Sequence, residues 1–422
     1  MIRSLSFWVL VALVAGIAAG AAANAYGDAQ VRQVIETFEA VGGLWLNALR
    51  MTIVPLVLAL LVTGVAATAD AAATGRLAAR AAVLFLVLLF VAAIYSTAAS
   101  EGLLALWPAD PAGAAALRSG ATASPAVAAT APDFAEWLKS LAPANPIKAA
   151  AEDAILPLVV FGLFLGFALT RLPEEVGRPV LVVFRGIAEA MIVIVRWVLW
   201  AAPLGVFALA LGVGLRAGLG ATGVLVHYVI FVSIITIGIA ILGFFVGAIG
   251  GGLSPGRFAR AAIPVWVVAF STQSSLASLP AMVERARDDL AVPARVTGVV
   301  LPLAVAVFRL TSPVANLAVA YFVAHIYGVE PTPLQLAGGV FVAVAVSIGS
   351  VGLPGQISFF ASMAPICLAI GAPIELLPIL LAVEVIPDIF RTVGNVTGDL
   401  AATVVLNRGE PVVEDDRPPS LH

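Results

Sequence analysis

Six of the seven polar side chains from Glu384 to Asp399, in the string EVIPDIFRTVGNVTGD, share a regular spacing inside a segment that is otherwise apolar. Glu384, Asp388, Arg391, Thr392, Asn395 and Asp399 follow one another at steps of 4, 3, 1, 3 and 4 residues. At about 100° per residue on a helix, all six fall within an arc of roughly 100°. One stripe therefore carries three acids, a guanidinium, an amide and a hydroxyl, while Ile386, Ile389, Val393 and Val396 lie off it. Ionisable side chains at membrane depth cost about 2.5–3.5 kcal/mol each on insertion scales, so they usually line a substrate or ion path. The other reading of such a stripe is the solvated face of a soluble amphipathic helix, and composition decides between the two.

The chain of 422 residues is 61% hydrophobic and only 11% charged, with a mean hydropathy of +1.08. A soluble domain carries about 25% charged residues. The composition is that of an all-α polytopic membrane protein in contact with the lipid bilayer. A net charge of −3 points to no nucleic-acid partner. Lys139 and Lys148 are the only lysines, and the single cysteine, Cys367, excludes an internal disulfide and any cysteine-built metal site.

Apolar runs of spanning length are expected near residues 5–26, 42–69, 78–107, 154–171, 185–214 and 222–250. The first has a basic start and a small-residue end resembling a cleavage site, but further spans follow at once and it reads as an uncleaved span. Arginines cluster in alternate connections, which predicts both termini on the cytoplasmic side. Residues 108–135 then form an external loop. After residue 250 the pattern changes. A short apolar arm, Phe258–Phe270, leads to the polar tip Ser271–Ser278 and a second short arm, which fits a re-entrant hairpin. The same device recurs at 336–371 around Ser350–Gly355. Between the hairpins, the apolar segment 296–327 is interrupted at Phe308–Pro313, where Pro313 is expected to break the helix. The last span, about 376–405, carries the stripe, and the acidic tail after Arg408 reads as disordered. Two interrupted apolar units in corresponding positions point to inverted repeats around a midplane site.

These residues resemble the dicarboxylate/amino acid:cation symporter family, the glutamate-transporter family, over nearly the whole chain. The resemblance rests on Ser274–Pro280 at the first hairpin, Gly349–Gly355 at the second, and the string from Asp388 through Arg391, Thr392 and Asn395 to Asp399. It implies eight transmembrane segments plus two re-entrant hairpins, a homotrimer in the cell inner membrane, and an elevator-like moving unit. Residues 1–250 would be mostly scaffold, with the third and sixth spans moving with the transport core at 251–407, ahead of a tail at 408–422. By the same resemblance, Arg391 grips the side-chain carboxylate of a small anionic substrate and Asp388 takes its amino group. Thr392 and Asn395 would hydrogen-bond its amino-acid end, while Gln273, Ser274, Ser275, Ser350, Gly352, Leu353, Pro354 and Gly355 close over it. Asn395 and Asp399 would offer oxygens to sodium, and Arg309, Ser312 and Glu384 complete the coupling set. No cofactor is implied beyond sodium or protons as coupling ions.

The chain departs from that family at the interrupted segment. Relatives carry asparagine-methionine-aspartate-glycine-threonine where this chain has Phe308, Arg309, Leu310, Thr311 and Ser312. Phe308 and Leu310 remove an amide and a carboxylate from a sodium site. Arg309 is expected to pair with Asp399 and take the place of a cation, which predicts coupling to protons or exchange. A C4-dicarboxylate carrier, a neutral amino-acid carrier and an anion channel stay open as alternatives. A serine hydrolase at Ser274 or Ser275 would need a nearby base, and His227, His325 and His422 lie towards span ends or at the terminus.

Overall fold

Lipid offers no partner to backbone N–H and C=O groups, so apolar runs of this length satisfy them internally as helices. The computed structural model describes residues 5–73, 75–120, 139, 142–152, 154–217, 220–349 and 355–408. All regular elements among them are helical. Among the described residues, five helices are long and apolar enough to cross a membrane, or up to six if a bent pair counts as one span. The expected loop at 108–135 falls largely, and the tail after Arg408 wholly, outside the described residues.

Prolines set where the elements begin. The run expected at 42–69 divides into α2, Ala29–Arg50, and α3, Ile53–Ala73, with Pro55 in the first turn of α3. The run expected at 185–214 divides into α8, Glu174–Trp200, and α9, Ala202–Ala217, bent by 58° ahead of Pro203. A first-turn N–H has no intrahelical acceptor, so proline loses nothing there and stops the preceding helix from continuing through it. The same rule corrects the sequence reading of the segment 296–327. The interruption lies at Phe308–Leu310, between α13, Ala294–Val307, and α14, Thr311–Tyr327. Pro313 is the third residue of α14 and starts that helix.

The last span is also interrupted, which the sequence reading did not foresee. α17, Leu377–Val383, ends at Glu384, and α18 runs Val385–Arg408 with Pro387 in its first turn. The first hairpin, α11 (Pro255–Thr272) and α12 (Ser275–Asp288), turns tightly. Instead of an eight-residue polar tip, Gln273 in the left-handed region (φ 50°) and the cap Ser274 make the reversal alone. The second hairpin pairs α15, Pro333–Gly349, with α16, Gly355–Ala369. The chain thus runs hairpin, interrupted helix, hairpin, interrupted helix.

α14 is buried at every position from Thr311 to Ala324, and α18 is buried at nearly every position from Arg391 to Val404. They meet closely: a Cβ on Gly394 would lie 2.4 Å from Thr311 Cγ2. α10, Gly220–Phe245, packs along α18. In the N-terminal half, α1 (Leu5–Tyr26) lies against α9, and the buried Glu39 of α2 is paired with Arg216 of α9. Gly20 lets α1 approach, since a Cβ there would sit 2.2 Å from the Leu211 carbonyl oxygen. Gly20→Val should therefore pry α1 from α9 at about 1–3 kcal/mol of overpacking, read as a lower melting temperature of the purified protein.

Candidate functional site

The interruption at Glu384 puts that side chain at the N-terminal end of α18, facing down the stripe towards Arg391. Glu384 and Arg391 are 5% and 4% exposed, so neither charge reaches bulk solvent. Arg391 Nη1 donates to Glu384 Oε1 at 2.8 Å, and Nη2 donates to Asn316 Oδ1 of α14 at 2.9 Å. From α10, the Tyr228 hydroxyl donates to Glu384 Oε2 at 2.6 Å. Each carboxylate oxygen therefore has its own donor, which lets a buried ion pair persist where an incompletely bonded one would be costly.

Around this pair the start of α14 supplies a second network. Thr311 donates its backbone N–H to Asn395 Oδ1 at 3.0 Å, and its hydroxyl lies 2.8 Å from the same oxygen and 2.9 Å from the Arg391 carbonyl. Asn395 Oδ1 is thereby committed to α14, leaving its Nδ2 as the group offered elsewhere. Asn316 Nδ2 donates to Ser312 Oγ at 3.3 Å, and Ser312 shares a 3.1 Å hydrogen bond with Ser347 of α15. Thr392 turns its hydroxyl onto the Asp388 carbonyl one turn back, at 3.0 Å. Asp388 is half-buried, and no described residue donates to its carboxylate.

Asp399 differs from the other acids. It is fully buried, and neither oxygen has a hydrogen-bond partner. The Arg309–Asp399 ion pair expected from the sequence is not formed. Arg309 acts on Asp399 electrostatically without a hydrogen bond to it, and Phe308 and Leu310 pack beside the neighbouring Gly398. The Phe308 ring stacks on Phe85 of α4 (Arg76–Leu106), with centroids 4.5 Å apart and planes 9° from parallel. Leu310 fills the space over Gly398, where a Cβ would lie 2.9 Å from the leucine side chain.

The first hairpin is tied to α18 by its arm. Trp266 Nε1 donates to Thr397 Oγ1 at 2.8 Å. Its tip stays apart from the polar cluster: Ser274 caps α12 by accepting from Ala277 N at 3.2 Å, and no hydrogen bond joins Gln273, Ser274 or Ser275 to Arg391 or its partners. Gln273 instead borders an apolar cavity of about 900 Å³ shared with α1, α10 and Ile386. Gly355 opens α16, while Ser350, Gly352, Leu353 and Pro354 lie outside the described residues.

Sequence reasoning missed Tyr228, Thr311, Asn316 and Ser347. Asn316 was findable: it follows Ser312 by one helical turn inside a run otherwise apolar, the same signal that exposed the α18 stripe. Ser347 opens the polar stretch Ser347–Gln356 of the second hairpin but was given no role in the site, and Tyr228 gave no signal, since single hydroxyls are common on spans.

A buried ion pair held between two interrupted helices of a multi-pass membrane protein is the kind of polar cluster that lines a substrate or ion path. The sequence signature of the sodium:dicarboxylate symporter family matches residues 5–409, and the chain belongs to that family. Among curated relatives, it is 28% identical over 415 residues to the proton/glutamate-aspartate symporter of Escherichia coli (strain K12), covering 96% of this chain and 93% of the relative. It is 26% identical over 426 residues to the proton/sodium-glutamate symport protein of Bacillus caldotenax, covering 98% and 96%. The human neutral amino acid transporter A is 29% identical over 446 residues, covering 93% and 80%.

Proposed function

We propose that the protein is a proton-coupled secondary carrier for an acidic amino acid such as aspartate or glutamate. The single observation that carries this reading is the buried Arg391, fixed by Asn316 and Glu384, with the half-buried Asp388 three residues before it on the same stripe. A planar guanidinium suits bidentate carboxylate recognition, and a fixed anion beside it suits an ammonium. Arg391 takes the side-chain carboxylate, Asp388 the amino group, and Thr392 with Asn395 Nδ2 lies along the amino-acid end. The tips at Gln273–Ser275 and Ser350–Gly355 close over the ligand by a movement of the hairpins. The relatives named for glutamate and aspartate support this substrate class.

Sodium fits the residues present poorly. A hard cation collects several oxygens, but here Asn395 Oδ1 is held by Thr311, and Phe308 and Leu310 are apolar. Asp399 presents two buried carboxylate oxygens without a hydrogen-bond partner. Protons, taken up at Glu384 or Asp399, need no such shell. Eight spans with two re-entrant hairpins, a trimeric scaffold from residues 1–250, an elevator-like core at 251–407, and cytoplasmic termini in an inner membrane complete the reading. Uptake of labelled aspartate into proteoliposomes should survive replacement of sodium by choline; a strict sodium requirement sinks the coupling assignment.

A second reading has its own support. Both terminal nitrogens of Arg391 that would meet a substrate carboxylate already have internal acceptors, an arrangement compatible with a neutral amino acid, as in the human relative named for that class.

A further inference from the structure

Those two readings meet at one side chain. The Glu384 carboxylate bonds the face of Arg391 that the proposed function reserves for the substrate's own carboxylate, and it does so through a charge-assisted contact of 2.8 Å. Glu384 sits at the junction of α17 and α18, where its backbone stays right-handed and its N–H bonds the Leu381 carbonyl three residues back. Tyr228 holds the far oxygen at 2.6 Å from a different helix. The carboxyl therefore has two anchors, one of which it can leave while keeping the other.

We propose that Glu384 is an internal ligand of Arg391 which stands in for the substrate's side-chain carboxylate, so that its protonation selects between acidic and neutral amino acids. With Glu384 ionised on Arg391, the guanidinium is neutralised from within, and a side chain without charge completes the site. With Glu384 protonated, its carboxyl stays with Tyr228, Arg391 is left as an uncompensated buried cation, and an acidic side chain supplies the missing anion. In both states one carboxylate faces one guanidinium, which is the condition for keeping that charge out of water. The proton balance is simple: binding an acidic amino acid takes one proton onto Glu384, and binding a neutral one takes none.

The groups facing Glu384 are few. Arg391 and Asp388 lie on its own side of the break, Tyr228 comes from α10, and Asn316 on α14 holds the other nitrogen of Arg391. Cys367 of α16 lies behind Tyr228, and Arg309 acts on Arg391 across the cluster. Of these, Arg391 and Tyr228 bond Glu384 directly and set its charge. The same arrangement makes Tyr228 a positioning residue, since it holds the carboxyl in place whether or not Arg391 is engaged.

The inference rests on Arg391 being the carboxylate grip, and the test separates the two. Binding of labelled aspartate and of labelled serine is measured on the purified full chain at about pH 5.5 and about pH 7.5, since one linked proton changes apparent affinity by up to about tenfold per pH unit. Aspartate should bind at least about tenfold more tightly at the lower pH, and serine should weaken over the same interval. In Glu384→Gln, aspartate affinity should change less than about twofold between the two conditions and serine binding should be lost at both. Tyr228→Phe removes a donor to the ionised carboxyl, so the pH at which preference crosses from serine to aspartate should rise. If Glu384→Gln does not fold, the wild-type crossover and its displacement in Tyr228→Phe carry the test. Aspartate binding that ignores pH in the wild type, or that keeps its full pH dependence in Glu384→Gln, overturns the inference while leaving the carrier assignment intact. Failure of both amino acids to bind at either pH overturns both.

Discussion

Arg391→Ala is expected to abolish aspartate uptake and also to lower the yield and melting temperature of the protein, whereas Arg391→Ala combined with Glu384→Ala recovers the second loss but not the first. The single change leaves the Glu384 carboxylate buried with Tyr228 as its remaining donor. Breaking one side of a buried ion pair costs about 3–5 kcal/mol, while removing both sides is often close to neutral. Stability should therefore track the orphaned charge, and transport should track the missing guanidinium. Uptake in the double variant should stay at background, at least about a hundredfold below wild type, because a lost charge-assisted bidentate contact in a water-excluded site is worth several kcal/mol. Arg391→Lys separates geometry from charge. A lysine ammonium could keep Glu384 company but could not reach Glu384 and Asn316 together in a fixed plane. A double variant that remains as unstable as Arg391→Ala, or a lysine variant with wild-type uptake, would show that Arg391 does not work as described.

The stripe on α18 was legible because membrane depth penalises charge. Three acids and an arginine on one face of an apolar segment need a reason whatever the fold. The reversal between α11 and α12 was legible for a related reason, since a polar stretch separates two short arms there. What the sequence concealed were pairings made across chain distance. Tyr228 lies far along the chain from Glu384, and Asn316 from Arg391, and no local pattern links them. The reading of Pro313 failed on a finer point. Proline disrupts a helix that would have to pass through it, yet fits the first turn, so the irregular residues lie upstream of it. Pro387 acts in the same way, in the first turn of α18, and the seven-residue spacing of Glu384 and Arg391 keeps both on one face. Asp399 has no hydrogen bond to the expected Arg309, and the residue before that arginine, Phe308, stacks its ring on Phe85.

Replacing Phe308-Arg309-Leu310 with the asparagine, methionine and aspartate of the family pattern is expected to add sodium dependence to the proton-coupled carrier proposed above. In the parent, Asp399 is buried with both oxygens unpartnered, beside an aromatic ring and a leucine. The triple variant Phe308→Asn/Arg309→Met/Leu310→Asp adds an amide and a carboxylate at the same break and removes the cation that acts on Asp399 through space. Two carboxylates so close repel one another unless a cation or a proton joins them, so the variant should be unstable without sodium and recover with it. A ligand at about a hundredfold its dissociation constant stabilises by about 2.7 kcal/mol, enough for a clear rise in melting temperature on adding sodium and a matching, roughly tenfold or greater stimulation of aspartate uptake. Arg309→Met alone should instead impair uptake without gaining any response to sodium, because it removes a charge and supplies no oxygen. If the triple variant melts at the same temperature in sodium and in choline, the interrupted segment is not where coupling is decided, and the proton-linked exchange of Glu384 between Arg391 and Tyr228 would have to account for coupling by itself.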